Sequence, residues 1–395
     1  MRLLYITESV PNRDPVLGDG SSMIPFEVLR NLPADVAVTL LTFSGPVALP
    51  DELRERCEAV HVLATRKRAW AMMRSVFGLN GLGRHERSTP RAISTASRLA
   101  SENDATLIHG PHALFLARHL RGPLVLQTVD PWSIRAAMDT AIARGLRPAY
   151  RARERQALRA ELRLPSRARL LTVSARDALE WSERLRREVR SIPNGAEQSA
   201  RAGTTRDSPV VCFVGSLNYG PNIDSANVLI GKIAPLVWQR VPDARFVIAG
   251  RRPGPSVLSL AGPQVDVLAN VPSVLNVFHS ADVAVFPDEH GVGIRNSVRE
   301  ALAAGIPVVA TPVAAREQEA HPLLAIEGDT AKLVDLIVNR LTAPRTDLRA
   351  AEPDAPPPRP WKAVTQEYLD ELGSAIHDSA IRHGGDFQRR ESPQP

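Results

Sequence analysis

The sequence predicts an α/β protein with two doubly wound parallel sheets, and three observations carry this prediction. Short runs of apolar and β-branched residues alternate with longer helix-period segments, which is typical of parallel sheets covered by helices. The pattern occurs twice, on either side of a stretch at 202–208 that is rich in Gly, Thr, Ser and Asp. The length of 395 residues also exceeds what one hydrophobic core usually accommodates. We therefore expect two Rossmann-like domains whose carboxyl strand ends face a common cleft.

The first domain is predicted over 1–200, with six strand candidates that are short, apolar and rich in β-branched residues. In chain order they are LLYIT (3–7), VAVTLLTF (36–43), VHVLA (60–64), TLIH (106–109), LVLQT (124–128) and LLTVS (170–174). Amphipathic segments separate most of them, so crossover helices are expected between parallel strands. The first run is bounded by Glu8 and Pro11 and lacks a cleavage site, which indicates a strand rather than a signal peptide.

The second domain is predicted over 201–345, with five further strand candidates. They are VVCFVGS (210–216), RFVIAG (245–250), VDVLAN (265–270), DVAVFP (282–287) and PVVAT (307–311). A proline-rich linker follows over 346–360, because proline lacks a backbone donor and disrupts helices and inner strands. A helix is predicted over 361–382, crossing back to the first domain, and the tail at 383–395 is predicted to be disordered.

Composition and charge exclude several classes of protein. The chain has no run of about 18 uncharged apolar residues, which excludes a membrane-spanning helix. Its two cysteines, Cys57 and Cys212, provide neither a disulfide framework nor a cysteine metal site, so a reducing cytoplasm is expected. Residues 1–200 hold 30 Lys and Arg against 21 Asp and Glu, whereas the remainder holds 19 against 22. This basic half indicates an anionic partner or an arginine-favouring composition, and the 5% of aromatic residues argues against nucleic acid.

The most informative stretch is FPDEHGVGIRNSVREALAAGIPVVATP at 286–312. A strand ends at Pro287, a loop with Gly291 and Gly293 follows, and an amphipathic helix runs to Gly305. Glycines before a helix allow backbone N–H groups to approach an anion, and the helix N-terminus favours negative charge. The pattern predicts a phosphate site, with an ordinary tight turn as the alternative.

This stretch resembles the signature of retaining, GT-B-fold glycosyltransferases of family 4. The segment 213–250 is similar to the start of the nucleotide-binding domain in a sub-branch with a Tyr-x-Pro-Asn motif, here Tyr219 to Asn222, related to exopolysaccharide sugar transferases. LTVSARDALEW (171–181) and SIPNGA (191–196) also fit the family order. The resemblance implies an acceptor-binding first domain and a nucleotide-sugar-binding second domain. It further implies sugar transfer with retained anomeric configuration, without a metal or cofactor.

Carried over by position, the resemblance implies roles for particular residues of the second domain. Glu300 would accept hydrogen bonds from the donor's ribose hydroxyls, unless it is only a solvated helix residue. Arg295 and Asn296 would meet the diphosphate and the sugar hydroxyls, with Arg295 as a catalytic cation. Further donor-binding candidates in the neighbouring loops of this domain are Gly215, Ser216, Asn218, Arg251, Gly293 and Ile294. Gly18, in the loop after the first strand of the first domain, is a donor-binding candidate by position only.

The sequence also departs from the family pattern. Many members have two glutamates separated by seven residues, but the position eight before Glu300 is Val292. Members commonly carry an Arg and a Lys after the first strand of this domain, where this chain has Ser216 and Pro221 or Asn222. Because the leaving diphosphate needs preorganised cations or amides, we expect Arg295, Arg251 or Arg252 to replace them.

Candidates in the first domain lie at strand ends. His109, or His112 three residues later, is placed where family members keep a histidine that contacts the transferred sugar; satisfying loop backbone groups is the alternative. Asp130 would orient the acceptor hydroxyl or cap the helix that starts at Pro131. His109 and Asp130 are thus catalytic candidates.

Two basic segments indicate an anionic partner. RKRAWAMMRSVFGL at 66–79 predicts peripheral membrane association or a lipid-linked acceptor, or a helix packed on the sheet. The region 151–190 holds 12 arginines. The acceptor remains open between a lipid-linked polysaccharide and a secondary metabolite. Alternative functions are a degenerate scaffold without turnover, a phosphorylase and a nucleotide-sugar epimerase.

Overall fold

The computed structural model describes residues 1–14, 16–18, 20–66, 86–142, 147–197, 208–290, 294–343 and 358–390. The basic segment at 66–79 therefore lies outside the described residues except for its first position, as do Gly291 to Gly293. The chain divides into two compact units. Unit 1 comprises Met1–Arg13, Leu17–Pro193 and Lys362–Pro395, and unit 2 comprises Asp14–Val16 and Asn194–Trp361.

Unit 1 is built on a parallel sheet that has seven strands within the described residues. Their order is β3-β2-β1-β4-β5-β6-β7. The strands are β1 (Arg2–Thr7), β2 (Ala37–Phe43), β3 (Ala59–Leu63), β4 (Ala105–His109), β5 (Leu124–Gln127), β6 (Arg169–Thr172) and β7 (Arg190–Ser191). The six predicted strands correspond to β1 to β6. Strand β7 was not predicted, because two residues are too few to form a recognisable apolar run.

Six α-helices of the described chain surround this sheet, and local sequence signals start two of them. They are α1 (Gly20–Asn31), α2 (Asp51–Arg56), α3 (Pro90–Glu102), α4 (Trp132–Ile142), α5 (Arg147–Glu161) and α6 (Ala175–Leu185), with a 3₁₀ helix at Leu114–His119. The Thr89 hydroxyl caps α3 by accepting from the backbone N–H of Ala92, and Pro90 fits the first position because its missing donor is not needed there. Ser174 caps α6 in the same way.

The two faces of the unit 1 sheet are covered differently. Side chains alternate along each strand, so Ile6, Ile108 and Leu126 join the hydrophobic core with α3 and α6. The opposite face meets the last helix, α13 (Trp361–Arg390). Arg169 of β6 donates to Glu371 of α13 at 2.6 Å and to Asp378 at 2.9 Å.

The last helix begins where the sequence predicts and continues past residue 382 to Arg390, into the tail predicted to be disordered. Glycine lowers helix propensity without excluding helix, so the Gly384 and Gly385 pair does not end it. Ahead of this helix, the backbone N–H of Ala196 donates to the carbonyl of Arg359, at the end of the predicted linker.

Unit 2 contains a second parallel sheet, with six strands in the described part of the chain. Their order is β10-β9-β8-β11-β12-β13. The strands are β8 (Val210–Ser216), β9 (Arg245–Arg251), β10 (Val265–Ala269), β11 (Val283–Phe286), β12 (Val308–Ala310) and β13 (Leu324–Ile326). The five predicted strands correspond to β8 to β12, and the three-residue edge strand β13 was missed.

The helices of unit 2 cover both faces of this sheet. They are α7 (Gly220–Val228), α8 (Ala234–Trp238), α9 (Pro255–Leu258), α10 (Val274–His279), α11 (Asn296–Ala303) and α12 (Thr330–Thr342), with a π-helical turn at Leu229–Ile233 joining α7 to α8. The strand order reverses between β8 and β11. In open α/β sheets, ligands bind outside the carboxyl ends of the strands at such a switch point. The loops after β8 and β11 therefore position the candidate site of unit 2.

Candidate functional site

Two glycines bring the carboxyl ends of β8 and β9 unusually close together. A Cβ atom placed on Gly250 would lie 1.7 Å from the carbonyl oxygen of Gly215. A Cβ on Gly215 would lie 2.9 Å from the Asn222 side-chain nitrogen at the start of α7. No larger residue fits at Gly250 without moving the backbone, so the two glycines are what allows β8 and β9 to approach each other this closely.

Gly250→Ala is expected to destabilise the protein by about 1–3 kcal/mol, because the added methyl group collides with backbone. Thermal unfolding followed by circular dichroism measures this effect. Gly254→Ala is the matched control, since a Cβ there meets nothing within 4 Å. Equal melting temperatures for the two variants would show that the close approach of β8 and β9 is not needed.

Arg295 spans the switch point beneath these loops. Its Nη1 donates to Asp288 Oδ2 at 2.5 Å and to Asn222 Oδ1 at 3.0 Å, and its Nη2 donates to the Val214 carbonyl at 3.3 Å. The guanidinium lies 4.9 Å from the ring centre of Phe213 and 4.7 Å from that of Phe286. Burial lowers the pKa of Arg295, while Asp288 opposes this change, and the guanidinium stays charged.

Asp288 is the partner that the sequence analysis did not single out. Its Oδ1 accepts from the Ser225 hydroxyl at 2.6 Å, and its backbone carbonyl accepts from the Thr311 hydroxyl at 2.7 Å. The side chains of Arg295 and Asp288 are only 11% and 7% exposed. This buried ion pair ties the loop after β11 to α7 and to the end of β12. The catalytic role predicted for Arg295 stays a prediction, and its guanidinium is paired with the Asp288 carboxylate in the structure.

The other donor-site candidates of unit 2 lie at the carboxyl ends of β8 and β9 and in or just before α11. Asn296 begins α11 and accepts from the Asn194 side chain at 3.1 Å, while buried Arg299 donates to the Asn194 carbonyl. Glu300 follows Asn296 by one helical turn and is half-buried. The remaining described candidates differ in exposure: Ser216, Arg251 and Ile294 are half-buried and Asn218 is exposed.

Backbone hydrogen bonds hold the last residue of β9 and the residue after it. The backbone N–H of Leu217 donates to the Arg251 carbonyl at 2.9 Å. Arg252 has a positive φ of 48°, and its N–H donates to Asn270 Oδ1 at 2.9 Å. These bonds thus fix the main chain of Arg251 and Arg252 next to Gly215 and Gly250.

In unit 1, His109 lies at the end of β4 with no exposed surface. Neither ring nitrogen has a hydrogen-bond partner among the residues that the structure describes. Burial lowers the pKa of His109 from 6.5 to about 3, so the ring is neutral near pH 7. Contact with a sugar would require the surrounding side chains to move, and the predicted role of His109 stays a prediction.

Stability is expected to fall as the pH drops below about 6.5, because the unfolded chain then protonates His109 and the folded chain does not until the pH reaches about 3. The loss amounts to about 1.4 kcal/mol for each pH unit in this window. Urea unfolding at several pH values should show a smaller acid dependence for His109→Gln than for wild type. The exposed His377, replaced in the same way, is the control, and identical pH profiles for wild type and His109→Gln would contradict the prediction.

Glu8 and His112 form a second cluster at the same edge of unit 1. The backbone N–H of His112 donates to Glu8 Oε2 at 2.7 Å, and the His112 ring meets Trp132 edge-on at 5.2 Å. A Cβ on Gly110, which has φ of 98°, would lie 2.4 Å from the Glu8 carboxyl carbon. Burial lowers the pKa of His112. Glu8 could have been found from the sequence, because it is a charged residue directly after the first strand.

The other unit 1 candidates are more peripheral. Asp130 pairs with Arg135 of α4 at 3.0 Å, and its backbone carbonyl accepts from the Thr128 hydroxyl. The acceptor and capping roles considered for Asp130 both stay predictions. Gly18 is buried. Among the described residues, no group of three His, Cys, Asp or Glu is arranged to hold a metal ion, and no helix is long and apolar enough to cross a membrane.

Residues 208–343 match the sequence family described as Glycosyl transferases group 1. The matched segment contains the Gly215 and Gly250 edge, the Arg295 and Asp288 ion pair, and Glu300. The chain has no match among curated proteins.

Solved structures resemble this chain over nearly its whole length. Anabaena HepE in complex with UDP and glucose has a TM-score of 0.60 and 14% identity, covering 94% of this chain and 99% of HepE. WaaG, a glycosyltransferase involved in lipopolysaccharide biosynthesis, has a TM-score of 0.56 and 13% identity, covering 96% and 98%. The α,α-trehalose 6-phosphate synthase from Burkholderia multivorans has a TM-score of 0.58 and 10% identity, covering 95% and 99%. The prediction of the GT-B fold, with two parallel-sheet α/β domains, is confirmed.

Proposed function

We propose that this protein is a retaining glycosyltransferase that moves a sugar from a nucleotide-sugar donor to an acceptor hydroxyl. The observation that carries the proposal is the carboxyl edge of the unit 2 sheet at its switch point, where the ends of β8 and β11 lead to Ser216 and to Asn296 and Glu300 of α11. This edge lies inside the segment that matches the glycosyltransferase family. The structure of HepE with UDP and glucose supports a nucleotide-sugar as the donor class.

The donor nucleotide would lie along the carboxyl edge of unit 2. Glu300 and Asn296 are four residues apart on α11 and so share one face of the helix, where Glu300 would accept from the ribose hydroxyls. Ser216 would contact the diphosphate, together with backbone N–H groups after β8 other than those of Leu217 and Tyr219, which already donate to Arg251 and Ser216 carbonyls. Arg251, fixed next to them, would provide a positive charge.

The reaction breaks the bond between the anomeric carbon and the phosphate oxygen and forms a bond to the acceptor oxygen on the same face of the sugar. The departing phosphate oxygen takes the acceptor's proton, so the charges balance without a protein nucleophile. Because the transition state has oxocarbenium character, stabilisation of the leaving group contributes most. The proposal assigns this stabilisation to Arg251 and the backbone amides rather than to a metal or cofactor.

The acceptor side belongs to unit 1. Asp130 is only partly buried and lies just beyond the end of β5, so it is the carboxylate that would orient the acceptor hydroxyl. We propose a sugar on a lipid carrier or a secondary metabolite as the acceptor, and a cytoplasmic location that includes peripheral association with the inner face of the membrane. The basic first half of the chain supports an anionic acceptor or surface.

A second candidate is a binding protein that keeps the fold without turnover. The observation in its favour is that Arg295, one of the expected replacement cations, is already paired with Asp288 inside unit 2. Val292 also occupies the position of the first family glutamate. The pairing reduces the positive charge available to a leaving diphosphate, and Val292 removes a polar contact that the family pattern provides.

Calorimetry and thermal shift with UDP, GDP, TDP, ADP and their common sugars test the proposal on the full chain. One nucleotide is expected to bind, and its sugar to be hydrolysed or transferred with the anomeric configuration retained, as read by NMR. Binding without turnover, across a panel of lipid-linked and small acceptors, would favour the binding protein. Absence of binding at millimolar concentration would contradict both candidates.

A further inference from the structure

Unit 1 contains a pocket that shares Trp132 with the His112 cluster and otherwise extends along the 3₁₀ helix and α5. Its volume is about 370 Å³, which falls within the range typical of small-molecule sites. It lies between the 3₁₀ helix and the last two turns of α5 with the loop that follows. Arg159 and Arg163, which line it, belong to the arginine-rich region 151–190.

The inner wall of the pocket is apolar. Leu114 and Phe115 of the 3₁₀ helix are 8% and 6% exposed, and Trp132 and Leu164 are half-buried. Binding of an apolar group against this wall is favourable, because it removes apolar surface from water. A purely ionic ligand would leave this wall unused.

The outer edge of the pocket is cationic. Arg118, Arg159 and Arg163 line it and are all exposed. Arg159 lies in the last turn of α5 and Arg163 in the loop that follows, and both line the same pocket. Arginine binds phosphate and carboxylate through paired N–H groups, which makes this edge suited to an anionic head group.

The acidic residue that lines the pocket does not cancel this charge at the edge. Glu161 is 5% exposed and lies in the wall, where its carboxylate accepts from the Ser133 backbone N–H at 3.0 Å and from Trp181 Nε1 at 2.9 Å. Burial raises the pKa of Glu161, which disfavours its charged form. The pocket thus combines an apolar wall, an internally bonded carboxyl group and three peripheral arginines.

We propose that this pocket binds a single-chain amphiphile with an anionic head group. The chain would cover Leu114, Phe115 and Trp132, and the head group would bind Arg159 and Arg163. The inference does not depend on sugar transfer, since none of these residues belongs to the proposed donor site.

Calorimetric titration of the full chain with dodecyl phosphate, below its critical micelle concentration, tests this inference. Wild type is expected to bind it more tightly than inorganic phosphate or dodecanol, which lack the chain or the head group. Arg159→Glu/Arg163→Glu is expected to weaken binding by about tenfold or more, because charge-assisted hydrogen bonds are lost. The matched control is Arg151→Glu/Arg155→Glu, which changes exposed residues of the same helix that do not line the pocket.

Ala160→Leu tests the cavity itself. Ala160 lines the pocket, and leucine keeps the helix favourable while filling part of the space, so weaker binding of dodecyl phosphate is expected at an unchanged melting temperature. Equal losses in the two arginine double variants would overturn the proposal, since binding would then follow overall charge. Inorganic phosphate that binds as tightly as dodecyl phosphate would also overturn it. So would phosphatidylglycerol vesicles that bind as tightly as dodecyl phosphate and whose binding is unchanged in Ala160→Leu.

Discussion

Asp288→Ala is expected to lower the free energy of unfolding of unit 2 by about 3–5 kcal/mol. The substitution leaves the Arg295 guanidinium buried between Phe213 and Phe286 without its counter-charge. It also removes one of the two acceptors of the Ser225 hydroxyl, the other being the Pro221 carbonyl. Urea unfolding followed by circular dichroism measures the loss.

The neighbouring glutamate provides the matched control. Glu289 pairs with Lys232 at 3.3 Å on the surface, with side chains 60% and 64% exposed. Because exposed ion pairs contribute little, Glu289→Ala is expected to cost less than about 1 kcal/mol. A similar loss for both variants would show that burial does not make the Asp288 pair important.

A double variant separates the ion pair from its surroundings. Asp288→Leu/Arg295→Met removes both charges and retains apolar volume between the two phenylalanine rings. Replacing a buried pair by apolar residues is often close to neutral, so this variant is expected to be more stable than Asp288→Ala. If the double variant is stable but has lost donor binding, the pair positions the loop after β11 for function. Unchanged donor binding would assign the pair to stability alone.

Much of the fold was predictable because it depends on local patterns. Eleven strand candidates coincide with β1 to β6 and β8 to β12, since each is an apolar run long enough to stand out from its flanks. The helix starting at Trp361 was predicted from its period after the prolines. The short strands β7 and β13 carry too few residues for any periodicity, and only pairing with a distant neighbour defines them.

The candidate site was less predictable because its side-chain directions depend on distant residues. Arg295 was expected at the diphosphate from its place before a helix. Its buried position depends on Phe213, Asn222 and Asp288, which come from three separate elements. His109 was likewise placed at a strand end, but its enclosure depends on tertiary packing that no local pattern reports. Position along the chain therefore predicts candidate loops but does not tell which charges remain exposed.

Glu300→Ala is expected to weaken binding of the donor nucleotide by roughly 10- to 100-fold, because a charged acceptor for two ribose hydroxyls is lost. The measurement is calorimetry with the nucleotide identified in the donor panel. Glu300→Gln keeps one acceptor oxygen but loses the charge, so an intermediate loss is expected. Asp243→Ala, an exposed carboxylate before β9 at the opposite edge of the sheet, is the matched control.

The comparison of ribose with deoxyribose nucleotides isolates this contact. If Glu300 binds the ribose hydroxyls, wild type should discriminate against the 2′-deoxynucleotide, and Glu300→Ala should discriminate much less. If Glu300 only stabilises α11, Glu300→Ala would lower the melting temperature and weaken the binding of both nucleotides equally. Discrimination that survives in Glu300→Ala would remove Glu300 from the donor site, and the ribose contact would then have to be sought on another element of unit 2.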